Sequence, residues 1–251
     1  MDLPAERRQH ILQLLEAHGS LRTSDLQQTI GVSVATIRRD LNDLAEQDLI
    51  ERTHGGALPR ALGTAVEPPF SVKSALMREE KERIAKGAAR LVSPGSTIIL
   101  DSGSTALALA RQLAGRRITV IALDLPAAQA AAAGQTEVLL VGGRVRNGLY
   151  SLVGPWAEDT MRGLHGDLFF LGADAVDDDE VTNSAVDEAA VKRLAIRAAR
   201  EVILLADHSK FGRKALAQVC RLDELSAVVT DRGIGPREAV LRERVRKVVI
   251  V

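Results

Sequence analysis

The chain is poor in aromatic residues: one Trp, one Tyr and four Phe among 251 residues, 2% of the total. Its interior must therefore be assembled from Ala, Val, Leu and Ile within a hydrophobic share of 46%, which favours helices packed on strands. A single cysteine, Cys220, excludes an intramolecular disulfide framework, and its place between Leu216 and Leu222 makes it read as a small buried side chain. No apolar run approaches the roughly 18 residues of a membrane-spanning helix, and no charged-then-apolar leader opens the sequence. A soluble, cytoplasmic protein with no membrane partner is the expectation. Charge of one sign is also missing, since 33 Lys and Arg balance 33 Asp and Glu. Any nucleic-acid partner must then be argued locally. The length suits two domains better than one.

Residues Pro4 to Ala17 carry Ile11, Leu12, Leu14 and Leu15 in a helical pattern opened by a proline suited to a first turn and closed by Gly19. Ser24 to Ile30 reads as a second, short helix, and Gly31-Val32-Ser33 as a tight turn. Ser33 is placed to N-cap a third helix, with Val32 and Ile37 as a hydrophobic staple. Ile37, Leu41 and Leu44 fall at i, i+4 and i+7 and define an inward face, leaving Ala35, Thr36, Arg38, Arg39 and Asn42 outward. Arg38 and Arg39 precede Asp40, Asp43 and Glu46, the reverse of the order that the helix dipole favours, at about 0.3–1 kcal/mol per misplaced exposed charge. Such an order puts cations and small residues at the leading tip, the part that a recognition helix inserts into the major groove. The alternative is a solvated helix with local Arg39–Asp43 pairing. Leu49 to Ala57 follows as a short strand, a basic pair and a flexible turn, a wing carrying Arg52 and His54. Residues 1–60 hold seven Arg and no Lys against nine Asp and Glu. DNA binding here must rest on placement, with modest affinity per domain and a need for two or more domains.

GVSVATIRRDLNDL followed by LIERTHGGAL resembles the winged helix-turn-helix of the DeoR family of bacterial transcription regulators, over residues 5–58. The resemblance implies double-stranded operator DNA as a partner, with Ser33, Ala35, Thr36, Arg38, Arg39, Arg52 and His54 as DNA-contacting residues. Asp48 departs from the family's usual Gly after the recognition helix, a small cost because Asp tolerates a left-handed backbone.

Pro59 to Pro69 is rich in Ala, Gly and Pro and lacks periodicity, so it reads as a connector, with helical pattern resuming near Arg78. The expected division is a DNA-binding domain over 1–58, a connector over 59–77 and a second domain over 78–251. From Glu79 to Leu91 an amphipathic helix leads through Pro94-Gly95 to a strand at Ile98–Leu100. Apolar runs follow at Ile118–Ala122, Val138–Val141, Leu168–Leu171, Val202–Ala206, Ala227–Thr230 and Val248–Val251. Helical segments at Thr105–Leu113, Pro126–Ala133, Trp156–Leu164, Glu188–Ala199 and Arg237–Arg242 separate most of them. This alternation predicts an α/β fold with a parallel sheet covered on both faces.

Several of these strands end in polar residues, at the edge where open α/β sheets bind ligands. They are Asp101 with Ser102 and Ser104, the pair Gly142-Gly143, Asp174, Asp207 and Asp231. The stretch Asp101-Ser102-Gly103-Ser104-Thr105 reads as a phosphate cradle, a strand turning through glycine and hydroxyl residues into a helix whose first amides grip an anion. Lys210, in Asp207-His208-Ser209-Lys210-Phe211-Gly212, supplies a point charge for phosphate, and Phe211 anchors its loop by burial.

This half resembles the DeoR-type sensor domain over residues 78–231, itself related to ribose-5-phosphate isomerase. The matching landmarks are LDSGST, VGGRV, Ser151 to Gly154, DLFFLGADAVD, DEAAVKR and LADHSKFG. The resemblance implies a phosphorylated carbohydrate effector held by Asp101, Ser102, Gly103, Ser104, Thr105, Gly142, Gly143, Asp174, Lys192, Asp207 and Lys210, no metal or cofactor, and a homo-oligomer, dimer or tetramer. Ala122, Leu123 and Asp124 depart from the family's Thr-Asn-Ser-like residues, and Lys73 stands where Arg is frequent. An isomerase would use Asp174 or Asp177 as base, but Asn183 to Asp187 lacks the Lys and Gly of the related enzyme's closing loop. A regulator rather than an enzyme is the expectation, with a pure oligomerisation scaffold as a weaker alternative because it leaves the polar strand ends unexplained.

Overall fold

A computed structural model describes residues 4–18, 21–47, 49–53, 55–59 and 67–251. The chain divides into two compact units, Met1–Pro68 and Pro69–Val251.

The first unit runs α1 (Pro4–His18), β1 (Leu21–Arg22), α2 (Thr23–Ile30), α3 (Val34–Glu46), β2 (Ile50–Thr53) and β3 (Gly56–Pro59). Ile11 and Leu15 of α1, Leu26 of α2 and the predicted row Ile37, Leu41 and Leu44 of α3 are buried together as its core. Gly31, at φ +76°, ends α2 in the left-handed conformation that glycine adopts without steric cost. Ser33 caps α3 as expected, its hydroxyl accepting the Thr36 amide at 3.1 Å. The wing is a three-stranded antiparallel sheet rather than a bare hairpin, because β1 pairs with β3 on the side away from β2. That pairing explains Gly56: a Cβ there would lie 2.3 Å from the Leu21 carbonyl.

The second unit is built on seven parallel strands: β4 (Thr97–Leu100), β5 (Thr119–Ala122), β6 (Glu137–Leu140), β9 (Gly166–Gly172), β12 (Ala199–Leu205), β14 (Ala227–Thr230) and β15 (Val248–Ile250). Their spatial order is β15-β14-β12-β9-β4-β5-β6, and each corresponds to one predicted apolar run. Helices α5 (Arg78–Ala89), α6 (Ser104–Leu113) and α7 (Leu125–Ala131) cover one face, packing on Ile98, Leu100, Val120 and Phe170. Helices α8 (Pro155–Arg162), α9 (Val186–Ala198) and α10 (Arg237–Arg244) belong to the other, with Ile99, Ile121, Phe169 and Leu171. Consecutive residues thus feed opposite cores, which is why these strands read as continuous apolar runs. The chain leaves β4 towards β5 and β6, then returns to the other side of β4 with β9. The carboxyl ends of β4 and β9 therefore flank the topological switch point.

Some elements were not legible in the sequence. A hairpin of β7 (Arg144–Val145) and β8 (Leu152–Val153) and a small antiparallel sheet of β10 (Ala175–Val176), β11 (Glu180–Asn183) and β13 (Ala217–Arg221) lie outside the main sheet. Their strands are too short to show an alternation. Residues 70–77, read from sequence as the end of the connector, form part of the second unit, with α4 at Phe70–Ala75. This helix has no fully buried residue and so leaves no apolar periodicity.

Candidate functional site

On the first unit, α3 presents Ser33, Ala35, Arg38 and Arg39 exposed and Thr36 half-buried. The charges that follow are not spent locally. Asp40, buried, receives the Arg7 guanidinium of α1 at 2.5 and 3.1 Å, and Asp43 receives that of Arg8 at 2.9 Å. The Arg39–Asp43 pairing considered from sequence does not form. Among the described residues, Arg38, Arg39 and the exposed Arg52 of β2 pair with no carboxylate. The acidic half of α3 ties it to α1, and its basic half is left open to a polyanion. His54 and Asp48 lie outside the described residues.

In the second unit, the carboxyl ends of β4 and β9 share one polar network. Asp101, 1% exposed, accepts the Ser102 amide (2.7 Å) on one oxygen, and the Gly172 amide (2.7 Å) and Lys192 ammonium (2.9 Å) on the other. Lys192, on α9 and equally enclosed, also donates to Asn183 Oδ1 (2.9 Å) and the Gly172 carbonyl (3.2 Å) and lies 3.3 Å from Glu188. Glu188 in turn accepts the hydroxyls of Ser102 (2.9 Å) and Ser151 (3.0 Å) and pairs with Arg146. Burial pushes Asp101 up, with Lys192 opposing; burial also acts on Lys192, but the surrounding carboxylates hold it above its usual range. Burial opposes the charge on Glu188, and Lys192, with Lys73 and Arg146, outweighs it and holds the carboxyl low. Asp101, Lys192 and Glu188, buried and bonded to one another and to their neighbours, form a rigid floor rather than a set of ligands.

The cradle is therefore organised differently from the expectation. Both Asp101 oxygens already accept bonds from within the protein, the Ser102 hydroxyl is held by Glu188, and the Gly103 amide donates to Asp124 Oδ2 at 2.8 Å. The Ser104 hydroxyl donates to the Lys73 carbonyl at 3.0 Å. What remains for an anion is the first turn of α6. Among the described residues the amides of Ser104, Thr105 and Ala106 and the Thr105 hydroxyl have no acceptor, and the helix dipole adds to them.

Lys210 stands in the 3-10 turn His208–Lys210, which Asp207 caps by accepting the Ser209 amide at 3.1 Å. Its ammonium makes no hydrogen bond or ion pair among the described residues. Burial holds it below its usual range, with Asp207 opposing and Lys73 adding to the effect. Asp207 is thus a capping and charge-balancing residue. Asp174, at the end of β9, accepts Lys73 Nζ at 2.7 Å and the Ser184 amide at 2.9 Å. Burial would raise it, but Lys73 and Lys192 outweigh that and hold it ionised far below its usual range. So engaged, it is a poor general base.

Gly142 and Gly143 follow the edge strand β6 at positive φ. A Cβ on Gly143 would lie 2.8 Å from the Val153 carbonyl and 3.0 Å from Ala157 Cβ. Its absence is a packing requirement at the start of α8.

Lys73, Lys81, Arg146, Ser151, Asn183 and Glu188 are not among the expected ligands, although Lys73, Ser151 and Asn183 stand in stretches that the resemblance compares. Glu188 and Lys192 stand four apart on one helix, a visible signal. Lys81 lies on the buried stripe with Ile84, Ala85 and Ala88, a lysine where an apolar residue is due. Its ammonium donates to the carbonyls of Lys73 (2.5 Å) and Leu76 (2.6 Å), and burial pushes it down to about 8. Asp124, fully buried, caps α7 by accepting the Ala127 amide at 2.7 Å and places Gly103 with its other oxygen. Burial raises it to about 7, with those two amides opposing. Cys220 is buried and its thiol pushed up to about 12, as an inert core residue.

Comparison with known proteins agrees with this division of labour. The DeoR-like helix-turn-helix domain matches residues 7–59, and the DeoR C terminal sensor domain matches residues 77–232. The HTH-type transcriptional regulator GlpR of Haloferax volcanii is 35% identical, covering 97% of this chain and 94% of its own. The glycerol-3-phosphate regulon repressor of Escherichia coli K12 is 35% identical over 90% of each chain. The lactose phosphotransferase system repressor of Staphylococcus aureus is 33% identical over 90% of this chain and 91% of its own. Among solved structures, ribose 5-phosphate isomerase A of Methanocaldococcus jannaschii aligns over 53% of this chain and 54% of its own, at 22% identity and a TM-score of 0.40. The relatives that match nearly full length are regulators rather than enzymes. With both domains matched in order and whole-length relatives of this kind, the chain belongs to the DeoR family of DNA-binding transcription regulators.

Proposed function

We propose that the protein is a cytoplasmic repressor of a carbohydrate operon, binding its operator as a homo-oligomer through α3 and the wing, and released by a phosphorylated carbohydrate held at the first turn of α6. The observation that carries the effector reading is a set of unclaimed groups among the described residues: three amides without acceptors at the α6 N-terminus and Lys210 without a partner, while the charges of the floor are matched to one another. Phosphate supplies what these groups lack. For the DNA, the support is that Arg38, Arg39 and Arg52 are exposed and pair with no carboxylate among the described residues, while Asp40 and Asp43 are neutralised by α1. The names of the glycerol-3-phosphate and lactose system repressors point to the same ligand class. Self-association is supported by edge strand β6, which exposes Leu139 and Leu140, and by Trp156, 78% exposed.

Calorimetry with a panel of sugar phosphates and their unphosphorylated parents tests the effector. Phosphates that bind and weaken operator affinity by roughly 5- to 150-fold are expected. Parents that bind as well as their phosphates overturn the reading, as does isomerisation of a phosphate that Asp174→Asn abolishes.

A further inference from the structure

Helix α4 is the first element of the second unit, directly after the chain that leads from the DNA-binding unit, and its attachment is polar. It buries no residue completely, and the Ser74 hydroxyl is enclosed with no partner among the described residues. Its tethers include the Lys73–Asp174 ion pair at 2.7 Å and the Lys73 carbonyl, which accepts both the Ser104 hydroxyl and the Lys81 ammonium. Lys81 also holds the Leu76 carbonyl. At the amino end, the Phe70 amide donates to the Gly148 carbonyl at 2.9 Å and its ring meets Tyr150 edge-on at 5.6 Å.

Two of these tethers are made by groups that an anion at the α6 turn would claim. Ser104 is the first residue of α6, and its hydroxyl is engaged by α4 rather than by the floor. The Lys73 ammonium pairs with the monoanionic carboxylate of Asp174, which also keeps the Ser184 amide. We propose that Lys73 is an effector ligand and that effector binding undocks α4: the phosphate draws the Lys73 ammonium from Asp174 and the Ser104 hydroxyl from the Lys73 carbonyl. This inference rests on the effector reading above and adds the residue and element through which that site acts. When Lys73 leaves, Asp174 keeps the Ser184 amide, and Lys192 continues to act on it electrostatically. The exchange costs Asp174 its nearest countercharge, which the contacts of the phosphate with Lys73, Ser104 and the α6 amides must outweigh. The elements that hold the floor, β4, β9 and α9, are anchored in the two apolar cores and stay in place. The response is concentrated in α4, which among the described residues has no such anchor, and α4 passes it to the connector that it follows.

Amide hydrogen exchange on the full-length protein, in chloride buffer with and without inorganic phosphate, tests this. Slower exchange at residues 104–106 together with several-fold faster exchange at residues 72–76 is the expected result. Slower exchange at 104–106 with unchanged or slower exchange at 72–76 overturns the α4 inference and leaves the effector site standing. No change at 104–106 removes the effector reading, and the inference with it. In Lys73→Met, α4 should exchange fast without phosphate and show no further response, while Lys73→Arg restores the wild-type pattern. A Lys73→Met protein whose α4 responds to phosphate as the wild type does also overturns the inference.

Discussion

Replacing Lys192 by Met probes whether the buried floor is held by charge. Met keeps most of the aliphatic stem and removes the ammonium. Glu188 loses one of several partners, since Arg146, Ser102 and Ser151 still reach it. The loss falls on Asp101, which keeps the Ser102 and Gly172 amides but no countercharge at 1% exposure. Breaking a buried ion pair from one side costs about 3–5 kcal/mol. Two remaining amide bonds reduce that figure, while the Asn183 and Gly172 oxygens left without Lys192 restore about 1 kcal/mol each. The expected loss is about 3–4 kcal/mol, or roughly 10 °C in the melting temperature of the second unit. The pH dependence carries the diagnosis. Burial already raises Asp101, and without Lys192 it rises further. A carboxyl whose folded pKa exceeds its unfolded one contributes stability at low pH that is lost as pH rises through the folded value. The deficit of the variant relative to wild type should therefore be largest in mild alkali and shrink as the pH falls through the raised value. Calorimetric melting of both proteins across that range measures it, and Asp101→Asn in the variant background should recover part of the loss. A deficit below about 1 kcal/mol, or one that grows as pH falls, would refute the argument from uncompensated burial.

The double variant Arg38→Ala, Arg39→Ala should weaken operator binding by about 1–3 kcal/mol for each residue that reads a base, or lower the salt slope by about one for each phosphate contact, with an unchanged circular dichroism spectrum. Unchanged affinity and slope in a fluorescence titration sink the α3 assignment. Lys210→Met should weaken binding of a phosphorylated effector by about 1.5–3 kcal/mol in calorimetry and leave the operator occupied at effector levels that release the wild type; equal affinity removes Lys210 from the site. Gly143→Ala should lower the melting temperature of the second unit, since the new Cβ meets the Val153 carbonyl at 2.8 Å and φ is +106°. A neutral melting temperature with weakened effector binding would return Gly143 to the ligand set. For Asp124, raised by burial to about 7, wild type should lose stability relative to Asp124→Asn as pH rises from about 4 through 7. A constant difference in denaturant midpoint across that range argues against a neutral Asp124.

The sequence by itself determined the architecture and the chemistry in outline. Apolar runs located seven strands, the Ile37, Leu41 and Leu44 row oriented α3, and Ser33 marked its start, because side-chain period and capping act over a few residues. The family motifs identified a DNA-reading unit and a sensor domain. What only the tertiary structure decided was which polar groups are already spent. Asp40 and Asp43 answer to Arg7 and Arg8 across the helix packing of the first unit, which frees Arg38 and Arg39. Asp101, Ser102, Lys192 and Glu188 come together from β4 and α9, far apart in sequence, and turn presumed ligands into a floor. Lys73, within the stretch expected as connector, joins the polar network through Asp174 and Ser104. A buried charge takes whatever partner the fold delivers, and that partner has no fixed spacing along the chain. Local pattern therefore places the strand ends, while long-range pairing decides which of their side chains remain open to a ligand.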